Sequence, residues 1–207
     1  MRRFLFVRHA AHDLMERGVI AGRQSGVHLN ACGREQAQQL VERLSLLPIE
    51  AIYCSPLERA CETAMPLANT LRLPLQIADE FNEIDFGAWT GCTFAELKDV
   101  PEWQQWNSFR STAVIPGGES MLAVQARALK KMSELAKHHA FVAVFSHGDV
   151  IRALLAHFLG IHLDLFQRIE IDSASASLIE LGDSSVRVRL VNANAASSEL
   201  LPCLRQL

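Results

Sequence analysis

Phe4-Leu5-Phe6-Val7-Arg8-His9-Ala10-Ala11 is the stretch on which the fold turns. Four consecutive apolar residues, two of them aromatic and one β-branched, predict a strand buried on both faces, as in a parallel sheet. The run ends on a guanidinium and an imidazole, at the carboxyl end of the strand, where open α/β sheets bind ligands. Arg offers a planar, permanently charged fork suited to phosphate, and His can act as nucleophile. The small pair Ala10-Ala11 lets backbone come close to whatever is bound there. By itself an Arg-His pair is also what a solvated loop contains, so the reading depends on what the rest of the chain brings to it.

Outward from that strand, strand and helix signals alternate. After a Gly- and Arg-containing loop over about 16–30, a helix is predicted from Gly33 to Leu46, with Ala37, Leu40, Val41 and Leu44 on one face and Pro48 ending it. Ala51-Ile52-Tyr53-Cys54 reads as the next strand, with Ser55 as N-cap and Pro56 opening a helix to about Leu71. The middle is less regular: Leu75-Gln76-Ile77, a segment from Glu80 to Gly91, and short helical pieces around 93–98 and 101–109. It reads as a small helical lid inserted over about 90–118. Pro116-Gly117-Gly118 turns into a long helix, Glu119 to His138, with Leu122, Ala126, Leu129 and Met132 as its stripe. Phe141-Val142-Ala143-Val144-Phe145 is the strongest strand signal; Ser146-His147-Gly148 and a helix from Val150 to Leu159 follow. Ser175–Leu181 and Val186–Val191 flank Gly182-Asp183 and predict an antiparallel hairpin at a sheet edge. The tail over about 192–207 is small and polar. The expected fold is α/β, a three-layer α/β/α arrangement with a mostly parallel central sheet, in one domain over 1–207.

Composition narrows the function. At 207 residues and 49% hydrophobic, the chain can bury a sizeable core. Twenty Lys and Arg against 23 Asp and Glu leave a formal charge of −3 with no basic block, which points away from nucleic acid and membrane partners. No apolar stretch is long enough for a signal peptide or a bilayer span, and a cytoplasmic location is expected. The five cysteines are widely spaced and lack any C-x-x-C pair, against a disulfide framework or a zinc site. His138-His139 is read as ending the long helix, where cations suit its dipole, and neither this pair nor His157 or His162 suggests a metal ligand.

Three strand ends, followed by Arg8-His9, by Ser55-Pro56 with Arg59, and by His147-Gly148, can converge in one crevice. With these residues in view the chain resembles the histidine phosphatase, or phosphoglycerate mutase-like, superfamily, with Arg-His-Ala in place of its RHG motif. The resemblance extends to Ser55–Ala64 (SPLxRAxxTA), Asn82–Gly91 (xExxFGxWxG), Pro116–Ser120 (PGGES) and Ser146-His147-Gly148. It implies His9 as the phosphorylated nucleophile, Arg8, Arg59 and His147 as the clamp on the phosphoryl oxygens, and Glu83 as proton donor. It also implies Gly148, Arg23 and Gln24 as phosphate neighbours, with neither metal nor cofactor. Small members of this kind include α-ribazole-5′-phosphate phosphatases, and Trp103 and Trp106 are compatible with a planar substrate.

Phosphoryl transfer spreads negative charge over three oxygens, which two Arg forks and a protonated His would stabilise. The same guanidiniums should keep the His9 nitrogen unprotonated, and burial should raise Glu83 enough for it to donate a proton. Ala10 replaces the motif glycine, and His12 and Met15 stand where the family has Thr or Ser and Asn. If Ala10 needs a positive φ, the strain would cost about 1 kcal/mol. The expected activity is a metal-independent phosphomonoesterase acting on a small phosphorylated metabolite and releasing inorganic phosphate. The alternatives are a mutase or sugar bisphosphatase, and a weakly active member that binds phosphorylated ligands. A homodimer is left open.

Overall fold

A strand apolar on both faces needs a helical layer on each side. The computed structural model, which describes residues 1–194, has both. In chain order the elements are β1 (Arg2–Arg8), α1 (Asp13–Glu16), α2 (Ala31–Leu44), β2 (Ala51–Cys54), α3 (Glu58–Leu71) and β3 (Leu75–Ile77). They continue as α4 (Phe94–Leu97), α5 (Pro101–Ser108), α6 (Met121–Leu135), β4 (Phe141–Ser146), α7 (Gly148–Leu159), β5 (Ser175–Leu181) and β6 (Val186–Asn194). The strands form one six-stranded sheet in the order β3-β2-β4-β1-β5-β6. The first four are parallel, while β5 runs antiparallel to β1 and to β6. This is the three-layer, mostly parallel architecture that the sequence predicts.

Alternation along β1 divides the core. Phe4 and Phe6 join Val142, Val144 and the buried residues of α6 and α7 on one side. Leu5 and Val7 join Ile52, Ala143, Phe145 and the buried faces of α2 and α3 on the other. All four β1 residues have no exposed surface, and each such side chain contributes about 2 kcal/mol of hydrophobic stabilisation. Trp106 and Leu97, from the segment read as a lid, belong to the first of these clusters, so the insertion shares the main core.

Several boundaries differ from expectation for identifiable reasons. Helix α2 starts earlier because Asn30 Oδ1 accepts the Gly33 N–H at 2.9 Å and caps it. Helix α3 starts at Glu58 behind Leu57, not at Pro56, and Ser55 is not its cap: the Ser55 hydroxyl is drawn into the site described below. On α6 the buried stripe is Met121, Val124, Ala128, Met132 and Leu135; Leu122 and Ala126 face solvent, and Leu129 packs at the edge. That helix stops at Leu135, so His138-His139 lies beyond its end. Strand β6 runs to Asn194, taking in the start of the expected tail; positions 195–207, with Cys203, lie outside the described residues. Cys54 and Cys61 are free thiols with sulfurs 3.3 Å apart. No helix among the described residues is long and apolar enough to cross a membrane.

Gly33 marks the closest approach of α2 to the loop after β1. A Cβ there would sit 2.1 Å from the Ala11 carbonyl oxygen, a backbone atom that cannot swing aside. Gly33→Ala is therefore expected to destabilise the protein by about 3 kcal/mol, read from the midpoint of urea unfolding. An unchanged midpoint would mean that helix and loop separate freely.

Candidate active site

Strand register brings the motifs together. Arg8 pairs with Ser146 across β1 and β4, and the His9 N–H donates to the Ser146 carbonyl at 2.9 Å. On the other side of β4, Cys54 pairs with Phe145 and the Ser55 N–H donates to the Phe145 carbonyl. Three adjacent strands thus end level with one another, and His9, Ser55 and His147 emerge side by side. The His9 and His147 rings lie 5.2 Å apart, and Arg59 projects from the first turn of α3. A cavity of about 280 Å³ opens over them, lined by Arg8, His9, His12, Arg59, Glu83 and Gly148 among others. That is at the low end of the range for small-molecule sites.

His9 is buried, at 3% exposure, and its Nδ1 lies 2.9 Å from the Ala10 carbonyl oxygen. A carbonyl only accepts, so Nδ1 carries the proton and a neutral ring leaves its lone pair on Nε2. Burial, then the charges of Arg59 and Arg8, hold the imidazole well below its ordinary pKa and keep that lone pair free. The loop is anchored by the Ala10 N–H, which donates to Thr63 Oγ1 at 2.9 Å. Ala10 is not among the described non-glycine residues with positive φ, and its methyl group packs into the core, so the backbone strain that the missing glycine could have imposed is absent.

Both guanidiniums, that of the buried Arg59 and that of the half-buried Arg8, have incomplete partners. Arg8 donates from Nη1 to the Ile171 carbonyl at 2.6 Å and from Nη2 to the Met15 sulfur at 3.3 Å; Arg59 Nη2 donates to the Gly22 carbonyl at 2.7 Å. Arg8 Nε, Arg59 Nε and Arg59 Nη1 have no acceptor. Orphaned buried donors of this kind are costly unless a ligand satisfies them, and charged donors suit an oxyanion. A Cβ on Gly148 would sit 3.4 Å from Arg8 Nε, tight against the guanidinium.

Behind these charges runs a proton network. His147 Nε2 lies 2.7 Å from Ser55 Oγ, and Ser55 Oγ donates to Asn82 Oδ1 at 3.4 Å. With the hydroxyl hydrogen committed to Asn82, His147 Nε2 is the donor and its Nδ1 the acceptor, facing Arg59 Nη2 at 3.4 Å. This corrects the protonated His147 expected from the sequence: burial and the charges of Arg59, His9 and Arg8 push its pKa well below the ordinary value. Glu83 Oε1 accepts the Ile84 N–H at 2.9 Å, leaving Oε2 free, 3.7 Å from His147 Nδ1. Burial, then the neighbouring Asp149 charge, raises the Glu83 carboxyl to about 7 against the pull of Arg59 and Arg8.

The chain as a whole is similar to known proteins. A family model of the histidine phosphatase superfamily (branch 1) matches residues 4–194. The chain belongs to the histidine phosphatase superfamily. It is 32% identical over 188 residues to phosphoserine phosphatase 1 of Hydrogenobacter thermophilus, covering 87% of each chain. It is 28% identical to the adenosylcobalamin/alpha-ribazole phosphatase of Escherichia coli, covering 95% of this chain and 98% of that one. A mycobacterial glucosyl-3-phosphoglycerate phosphatase solved with VO3 superimposes with a TM-score of 0.84 at 26% identity, over 93% of this chain and 100% of that one.

Not every expected residue of this histidine phosphatase lines the cavity. Arg23 points away from it: Nε donates to the Glu83 carbonyl at 2.8 Å and Nη2 to Glu119 Oε2 at 2.6 Å, while Gln24 is exposed. Arg23 therefore sits behind Glu83 instead of on the cavity side. Arg127 shares the task, donating to the same carbonyl at 3.2 Å and to Glu119. His12 caps α1 through Nδ1, which accepts the Met15 N–H at 3.3 Å; burial, Arg59 and Arg8 lower its pKa to about 4. Sequence reasoning missed Ser55, Asn82, Thr63 and Glu119 as parts of the site, although each lies inside a quoted motif. Among the described residues no group of His, Cys, Asp and Glu is arranged to hold a metal ion.

Proposed function

We propose that this chain is a phosphomonoesterase that transfers the phosphoryl group of a small phosphorylated metabolite to His9 Nε2 and then to water. The observation that carries the reading is a neutral buried His9 beside a buried Arg59 and a half-buried Arg8, whose guanidiniums hold three nitrogen donors without an acceptor. In the first step the Nε2 lone pair forms the N–P bond while the ester P–O bond breaks, and the leaving oxygen takes the proton from Glu83 Oε2. In the second, water gives a proton to the Glu83 carboxylate and its oxygen attacks phosphorus; the N–P bond breaks and phosphate departs. Arg8 and Arg59 are charged before the substrate arrives and need no reorganisation as charge develops. They supply the positive charge that a metal supplies elsewhere.

Two alternatives are disfavoured. The weakly active reading loses its backbone argument, because Ala10 is unstrained. A mutase or bisphosphatase must match a second phosphate dianion, whereas besides Arg8 and Arg59 the cavity lining offers Arg110 and Arg152 against Asp149, one net positive charge.

The pH dependence tests the role of Glu83. Only its protonated form can donate, so turnover of alkyl phosphates should fall as pH rises through about 7. Glu83→Gln is expected to lower that turnover by about 10²–10⁴-fold. The first step with nitrophenyl phosphate, whose leaving group needs little protonation, should suffer far less. An equal loss for both esters in single-turnover kinetics would remove Glu83 from the role of acid.

A further inference from the structure

The cavity that contains His9 and Arg59 is also lined by Phe94, Trp103, Trp106 and Arg110. Arg110 is 3% exposed, yet its Nε and Nη1 have no acceptor, and neither has the buried Trp106 Nε1–H. Only Nη2 is satisfied, donating to Asn107 Oδ1 at 2.8 Å. The guanidinium carbon lies 3.5 Å from the Trp106 ring centroid and 4.5 Å from that of Phe166. Stacking fixes the orientation of the group but takes up none of its N–H bonds. Asp149 does not complete them either: its Oδ1 accepts from Arg152 at 2.9 Å, and its Oδ2 lies 3.6 Å from Arg110 Nη1, too far for a hydrogen bond.

We infer that Arg110 and the Trp106 indole N–H form a second subsite that receives a carboxylate of the substrate, whose class is therefore a phosphorylated carboxylic acid. The inference rests on the phosphatase reading above. The charge selects the ligand: Asp149 is hydrogen-bonded to Arg152, so Arg110 contributes one positive charge of its own, matched by a monoanion and not by a neutral acceptor. The donor set agrees, because the Arg110 edge carrying Nε and Nη1 and the adjacent Trp106 indole N–H all lack acceptors, and a carboxylate has two oxygens to offer them. The aromatic part of the lining, with Phe86, Phe94 and Trp103, suits an apolar or planar body linking the phosphate to the acid.

The test uses the full chain and phenyl phosphate with its ortho-, meta- and para-carboxyl and carboxamide derivatives. Turnover of phenyl phosphate by the wild type tests the phosphatase reading alone; its absence would remove both proposals. If that turnover is present, the acid-over-amide ratio of kcat/KM isolates the second subsite. At the best-fitting position the ratio should be about tenfold or more, expressed mainly in KM, and should fall to near one in Arg110→Gln. Because each ratio is taken within one protein, a general loss of activity or stability does not move it. A wild-type ratio near one at every position overturns the inference, as does a preference that survives Arg110→Gln, which would make Arg110 a strut between α5 and α7. Should that variant not fold, Arg110→Lys, which keeps the charge but not the fork, is expected to show a reduced ratio; an unreduced one also overturns it.

Discussion

His9→Ala should abolish turnover and the covalent intermediate together. The nucleophile defines the pathway, so the loss should reach at least about four orders of magnitude in kcat. Quenching the wild type with radiolabelled substrate in alkali, where phosphohistidine survives, should trap one labelled peptide containing His9. The variant should trap none. Turnover above a thousandth of wild type, or a label on another residue, would remove the phosphohistidine pathway and leave direct attack by water on a clamped ester.

Arg59→Met carries the second-largest expected effect. Arg59 brings two of the three orphaned donors to the nucleophile and its charge lowers the pKa of both His9 and His147. Losing a guanidinium that stabilises a transferring phosphoryl group costs about 10³–10⁵-fold in kcat. The same change should erase ligand-induced stabilisation: orthovanadate should raise the Tm of the wild type and leave that of Arg59→Met where it was. A full vanadate shift in the variant would mean that Arg8 alone holds the oxyanion.

Much of this was legible in the sequence because the chemistry sits where chain periodicity changes. Phe4–Val7, Ala51–Cys54 and Phe141–Phe145 are readable as buried strands, and the polar residues just past them are therefore assigned to one edge of the sheet. What could not be read was the second half of each residue's hydrogen-bond capacity. Ser55-Pro56 has the pattern of a helix start, but a histidine 92 residues later takes the hydroxyl. Arg23 follows a glycine as a phosphate-binding residue would, yet carboxylate and carbonyl partners 60 and 96 residues away turn it to the rear of Glu83. Arg110 belongs to no motif, and only packing between Trp106 and Phe166 reveals it as buried. Ala10 looked like a defect, because sequence alone does not show whether a glycine position uses its conformational freedom or merely its small size.

Helix α3 has a further consequence. Arg59 and Thr63 lie one helical turn apart; the first donates to the Gly22 carbonyl, and the second receives the Ala10 backbone N–H while donating to the Arg59 carbonyl at 2.6 Å. The spacing between the Arg59 guanidinium and the loop that carries His9 is thereby inherited from the pitch of a single helix. Drift in the surrounding loops, through insertion or relaxed packing, can tilt that assembly as a whole but cannot easily change its internal gauge.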